Sequence, residues 1–312
     1  MTGRGVLRRV IRGRSDDRPR ASWRIVVPIV MVFGAVLLAM PILASLDPLA
    51  YMVVERAWAA IATLGVLALA ARWLDRRAIA DYGFTRGREW WLDLLAGTVL
   101  GVALMGAVFG TAFVRGSIEL AGLFSAGDAG SFLPWIALFL LSWALVAFWE
   151  EALFRGVFLT NAIEGLSARG LSRRSALVGA WAGSTIVFAV IHVPLSVVPE
   201  GTSLAELFVV WFALGGLLGL AYILSGSLAF PIGLHFTTNA TANNLFGPAT
   251  GEYPLPAIVR VETTGAGGYA PIADLSAIVP ATIAAAAIAI GWFRLRDGRD
   301  DQRVQPLPDA IS

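Results

Sequence analysis

The 312-residue chain has no cysteine. Disulfides, thiolate metal sites, iron–sulfur clusters and cysteine nucleophiles are therefore excluded. It has no lysine either; all 24 basic residues are arginine. Charge is sparse at 15% of residues, against about 25% in soluble domains. Histidine occurs only at His192 and His235. What the chain has instead is apolar length. It is 57% hydrophobic, with a mean hydropathy of +0.72. The expected fold class is all-α: a polytopic membrane protein with about eight transmembrane helices around a membrane-embedded polar site.

A spanning helix needs about 20 mostly apolar residues. The first such run is Trp23 to Leu46, too long for a signal-peptide core of about 7–15 residues and read as an uncleaved span. Seven more follow, near 52–74, 90–114, 134–162, 176–198, 205–224, 228–246 and 276–294. The isoelectric point near 9.4 does not indicate nucleic acid, because the arginines sit in tails and short connections. Residues 1–24 hold eight of them. Arg72, Arg76, Arg77, Arg86 and Arg88 follow the second span, Arg169, Arg173 and Arg174 the fourth, and Arg294, Arg296, Arg299 and Arg303 the last. Eight spans put all of these on one side, the cytoplasmic side of what is expected to be a bacterial plasma membrane, with both termini there. The domain expectation is a basic tail over 1–22, a membrane domain over 23–296 and a disordered tail over 297–312. Residues 75–89 read as an interfacial helix or a loop, and 247–275 as a hairpin, a flap or disorder. Gly215, Gly216 and Gly219 suggest close helix packing.

The fourth span carries Glu150, Glu151 and Arg155. A charge near the centre of a membrane helix costs about 2.5–3.5 kcal/mol on insertion scales, so these residues mark a functional site by default. Glu151 and Arg155 are four apart and meet on one helix face. Glu150 is left to explain. Phe188 and His192 share a face of the fifth span; His235, Asn239 and Asn243 share one of the seventh. A glutamate held away from bulk water acts as a base on water, and a histidine and an amide stabilise an oxyanion. Together these describe peptide hydrolysis. Glu150, His192 and His235 are also a donor set for zinc, although HExxH is lacking. These residues by themselves leave metal and metal-free routes open. Ser184 and Ser227 lie in no nucleophile motif and rank below the glutamate. Two non-hydrolytic readings compete: a scaffold or immunity protein, and a proton-coupled transporter.

Depth is the difficulty. With the fourth span drawn at 133–158 and the fifth at 175–194, Glu150 and His192 are offset by about 17 Å at 1.5 Å per residue. Spans of 136–164 and 177–201 bring them level. A shared site therefore predicts a fourth helix extended at its cytoplasmic end, with Glu150 near the membrane midplane.

Glu150-Glu151-xxx-Arg155, Phe188-xxx-His192 and His235-xxx-Asn239 together resemble the EExxxR, FxxxH and HxxxN motifs of the CPBP family of intramembrane proteases, which includes the CAAX prenyl proteases and bacteriocin-processing and self-immunity relatives. The resemblance covers about 134–246. It implies an intramembrane glutamic endopeptidase of a class long described as metalloproteases. Glu150 and His192 would activate water, His235 and Asn239 would form the oxyanion hole, and Glu151, Arg155 and Phe188 would support them. No cofactor is expected, with a zinc ion on Glu150, His192 and His235 as the alternative. The expected partners are the bilayer and a membrane-associated protein or peptide substrate, and no nucleic acid.

Overall fold

The computed structural model describes residues 18–85, 87–196, 198, 199, 201–248, 253–264 and 270–303. Most of the chain expected as the basic tail thus lies outside the described residues. Eight helices form the body. They are α1 (Ala21–Leu43), α2 (Pro48–Asp75), α3 (Arg88–Val114), α4 (Phe132–Ser167), α5 (Arg173–Leu195), α6 (Leu204–Ser225), α7 (Ala229–Ala240) and α8 (Leu275–Arg303). All but α7 are long and apolar enough to cross a membrane. The seventh expected span, 228–246, is shorter than drawn: Ala229–Ala240 is a helix of 12 residues, prolonged by a π turn at Thr241–Leu245. It is shielded on most sides, with Phe230, Leu234, His235, Thr237 and Thr238 all buried. A helix wrapped by other helices need not match the lipid thickness itself.

The helix ends follow from local chemistry. Asp47 accepts from the Leu49 N–H and Pro48 opens α2, a favoured start. Ser172 caps α5 in the same way. Ser203 and Glu206 form a reciprocal capping box on α6. Gly226, at φ 63°, ends α6 in a left-handed turn, a conformation glycine adopts without a Cβ clash. The chain then reverses directly into α7. The backbone of α8 stays helical to Arg303, beyond the expected end of the membrane domain at 296.

Glycines set the spacing around α7. A Cβ on Gly97 would lie 2.1 Å from the Phe230 carbonyl oxygen, and one on Gly233 would lie 2.2 Å from that of Leu94. α3 and α7 thus touch backbone to backbone. The expected packing of Gly215, Gly216 and Gly219 is also present: Gly215 faces Phe188, and the other two face Trp181.

Two connections are built into the fold. The segment after α2 is neither an interfacial helix nor an open loop. It forms a 3-10 turn at Ile79–Tyr82, with Tyr82 fully buried. Asp75, also fully buried, receives Arg24 at 3.3 Å, Asn161 at 3.1 Å and the Tyr82 hydroxyl. Glu164 holds Arg24 and Arg77, each at 2.8 Å. Burial, then the bond to Asp75, holds the Tyr82 hydroxyl above the usual phenol range, so it remains a donor. This network joins α1, α2 and α4 at the arginine-rich end.

At the opposite end lies a three-stranded sheet, so the body is not purely α. β1 (Ile118–Ser125) pairs antiparallel with β3 (Ala257–Thr263), and β2 (Phe246–Pro248) pairs parallel with β3. The Arg260 guanidinium donates to Ser125 Oγ and to the Pro248 and Leu255 carbonyls, tying the three segments together. The expected hairpin over 247–275 is not formed by its described residues: β2 and β3 lie parallel, and Pro271–Ala273 is a 3-10 turn.

The glycine contacts are testable. Gly97→Ala and Gly233→Ala each overpack the α3–α7 crossing, and about 1–3 kcal/mol of stability should be lost. Gly106→Ala on α3, where a Cβ would meet nothing within 4 Å, should leave the thermal unfolding midpoint in detergent unchanged.

Candidate active site

Glu150 and Glu151 sit mid-way along α4. The next eight residues, Ala152–Leu159, are π-helical. Such wide turns collect at functional sites, and this one carries Arg155, fully buried. Adjacent helical residues diverge by about 100°, so the two carboxylates address different partners.

Glu151 is fully buried. Its Oε1 accepts from Arg155 Nη1 at 3.0 Å and from His235 Nδ1 at 2.8 Å. The expected Glu151–Arg155 pair is present, and the bond to His235 is an addition. Arg155 Nη2 reaches the Gly215 carbonyl at 2.9 Å. Its guanidinium lies 4.6 Å from the centre of the Phe188 ring. Phe188 in turn stacks on His192, centroids 4.0 Å apart. One arginine thus draws α4, α5 and α6 together, and its carboxylate partner adds α7.

Glu150 is 6% exposed. Its Oε2 lies 3.3 Å from His192 Nε2 and 3.9 Å from His235 Nε2. It makes no aligned hydrogen bond among the described residues. His192 Nδ1 is 2.8 Å from the Phe188 carbonyl, which only accepts, so that nitrogen carries the proton. His235 Nδ1 donates to Glu151 for the same reason. A neutral imidazole then presents its Nε2 lone pair. Three acceptors therefore converge, the two imidazoles with their outer nitrogens already engaged. Asn239, one turn from His235, lines an apolar cavity together with His235, Phe188, Trp211, Leu217 and Leu234. Glu150, Glu151, Arg155, Phe188, His192 and His235 are linked by direct contacts, whereas Asn239 meets this group through the cavity that His235 and Phe188 also line.

The depth problem resolves largely through α4. It extends to Ser167, at the end expected, and Glu150 falls at its middle. α5 does not reach 201; it stops at Leu195 with Pro194 in its last turn. Proline has no N–H to continue a helix. His192 therefore sits in the last turn of α5, opposite the centre of α4. Ser184 Oγ donates to the Phe154 carbonyl and Ser227 Oγ to that of Gly83, so both serines are engaged with backbone.

Several contributors are invisible in the three motifs. Trp211 packs 4.7 Å from His192 and donates to Ser196 Oγ, which bonds the His192 carbonyl. Nothing in the sequence marks it. Arg56 lies over the Trp143 ring and donates to Ser142. A Glu55–Arg56 pair inside an apolar span is a signal that sequence reasoning passed over.

Residues 132–241 match the family model described as type II CAAX prenyl endopeptidase Rce1-like. The matched segment, about a third of the chain, is similar to that family and is consistent with a CPBP family protease. It begins at the first residue of α4 and ends where α7 turns into its π segment, so it contains all three motifs. No curated protein and no solved structure matches the chain.

The two carboxylates should differ in what their loss does. Glu151→Gln leaves the buried Arg155 without its counter-charge, and about 3–5 kcal/mol of stability should go, read as a lower unfolding midpoint in detergent. Glu150→Gln removes no arginine partner and should keep that midpoint.

Proposed function

We propose that the chain is an intramembrane endopeptidase in which Glu150 activates the attacking water. The observation that carries this reading is the convergence of Glu150 Oε2 and His192 Nε2, 3.3 Å apart. Both are acceptors, and a water has two protons. A water seated beside the pair can direct one proton at each and keep an oxygen lone pair free for a substrate carbonyl. Attack forms the carbon–oxygen bond while Glu150 takes a proton. The developing oxyanion is met by the Asn239 amide and by His235. Donation from His235 Nε2 requires the doubly protonated ring, with its Nδ1–H kept on Glu151. Collapse breaks the carbon–nitrogen bond, and Glu150 returns the proton to the departing amine. Such oriented donors in a water-poor site contribute about 2.7–4 kcal/mol each.

The substrate class is a membrane-associated protein or peptide. Arginine placement supports cytoplasmic termini in a bacterial plasma membrane.

Metal use is weighed on the donors themselves. Among the described residues no group of three or more His, Cys, Asp or Glu is arranged to hold a metal ion. The donor types still suit one. Glu150, His192 and His235 would be its ligands, and the outward bonds of both histidines resemble those of metal-ligating imidazoles. An ion bound there would supply Lewis acidity. The metal-free route is preferred, because Glu150 and His192 already account for both protons of the water.

The test compares membrane-protein termini in cells making the wild-type protein or Glu150→Gln. New termini should appear only with the wild type, and cleavage of an identified substrate should fall about 100- to 10,000-fold in the variant. Unchanged cleavage by a folded variant would remove Glu150 as the base. Activity should persist in EDTA; loss that zinc reverses would overturn the metal-free route.

A further inference from the structure

Strand β1 is an edge strand, with β3 on one side only. Its pairing slips between Leu120 and Gly122, which leaves Ala121 as an extra residue. That bulge sets which side chains share a face. Leu120 stands opposite Val261, and Leu123 opposite Val259. The two valines are two apart on β3 and share a face. The bulge therefore brings Leu120 and Leu123, three apart, onto that same face. Ile118, opposite Thr263, belongs to it as well. This face turns towards the helices: Ile118 and Val261 are buried in the apolar core built by α3, α6, α7 and α8, and Val259 packs against it. Leu120 and Leu123 point the same way but reach past the helices, and are 56% and 59% exposed. The opposite face is acidic. Glu119 and Glu262 stand directly across from each other and both are exposed, a like-charge pair that costs least in bulk water.

Phe124 adds an independent sign. Its φ is 51°, left-handed backbone that a bulky residue adopts only against steric cost. Its ring is nonetheless 64% exposed, meeting only the edge of the Phe132 ring with centroids 5.6 Å apart. Strain that holds an aromatic ring outward gains nothing in water and gains burial in lipid. The chain on either side of β1 identifies what covers the patch. Val114, the last residue of α3, and Leu133, in the first turn of α4, are exposed apolar residues at the ends of two membrane-crossing helices. β1 connects those ends, so its uncovered side chains continue their lipid-facing surface. Depth follows from the backbone. An open strand edge does not occur within the hydrocarbon, where its outer N–H and C=O groups would lack partners. At headgroup level those groups meet water, while the side chains reach the acyl chains.

We propose that β1 is a lipid-seated edge: Leu120, Leu123 and Phe124 enter the leaflet at the arginine-poor end, and Glu119 and Glu262 face the water above it. The occupant of the patch is lipid acyl chain. The seat is tied to the site-bearing helices. Asn244 donates to the Pro256 carbonyl, just before β3, at 2.7 Å and accepts from Trp143 of α4 at 2.7 Å. Lipid beneath β1 thus fixes the height of the sheet in the membrane, and through it the height of that end of α4.

The lack of native cysteine makes single-site labelling clean. Leu120→Cys, Leu123→Cys, Phe124→Cys, Glu119→Cys and Glu262→Cys are made one at a time in the full chain. Each is labelled with a nitroxide in zwitterionic nanodiscs. All five side chains are exposed, so each variant should keep the wild-type unfolding midpoint. Power saturation then compares collisions with oxygen, which concentrates in lipid, and with a water-soluble nickel chelate. The nitroxides replacing Leu120, Leu123 and Phe124 should favour oxygen, at about 5–10 Å below the headgroup boundary. Those replacing Glu119 and Glu262 should favour nickel. Nickel access at Leu120 and Leu123 equal to that at Glu119 overturns the proposal and places β1 in water. Shielding of Leu120 and Leu123 from both reagents overturns it too, because protein, a second copy of the chain included, then covers the patch.

Discussion

The architecture of the site depends on one buried carboxylate. Glu151 is fully enclosed and faces Arg155, which is also fully enclosed. A buried ion pair is weak evidence for stability, because desolvation offsets much of its attraction. Its value here is positional. Arg155 spends its donors on Glu151 in α4 and on the Gly215 carbonyl in α6, and it lies against Phe188 in α5. The same Glu151 Oε1 also receives His235 in α7. Neither partner has an alternative in the apolar interior, so the four helices are held to one arrangement. The tight approach at Gly215 belongs to the same constraint: a Cβ there would lie 2.8 Å from the Phe188 ring.

That arrangement also solves a problem of length. α4 must bring a mid-helix residue beside the last turn of α5 and the centre of the short α7. It does so by continuing as a 36-residue span whose middle is wound more widely. At the arginine-rich end the span is received by Arg24 and Arg77 through Glu164. At the other end Trp143 is held by Asn244. The cluster of acceptors is thereby clamped from both directions along the membrane normal, by polar contacts remote from the chemistry.

The sequence shows the acidic pair, the two histidines and Asn239 because charge and amide groups in apolar runs are costly and so conspicuous. Four-residue spacing tells which of them share a face. The extension of α4 was recoverable from the demand that Glu150 meet His192. Other features were hidden for physical reasons. Hydropathy sums composition over a window and reports that 228–246 is apolar; it does not report that neighbouring helices shield α7 from lipid. Strand β1 finds its partner more than 130 residues later, and nothing local in Ile118–Ser125 encodes that pairing. The turn holding Tyr82 reads as polar connection, since its burial depends on Asp75, Arg24 and Asn161 arriving from elsewhere. Trp211 looks like any tryptophan of a membrane helix.

The division between the adjacent glutamates rests on their partners. Glu151 Oε1 receives two N–H donors, one of them from a guanidinium, which ties that carboxylate to the scaffold even though its Oε2, like that of Glu150, has no hydrogen-bond partner among the described residues. Glu150 Oε2 has no aligned donor among the described residues and faces two imidazole nitrogens. With both Nδ1 atoms bound outward, those nitrogens bring lone pairs as well. Mutually repelling lone pairs in a low-dielectric interior are tolerated only where something supplies hydrogen or positive charge between them. In the proposed mechanism a water beside the pair would serve Glu150 and His192 with its two protons, while His235, on taking up a proton of its own, would turn from an acceptor into a donor. The same three atoms would then stop opposing one another and act in sequence. Base strength would reside in Glu150, and Glu151 would hold the donor in place.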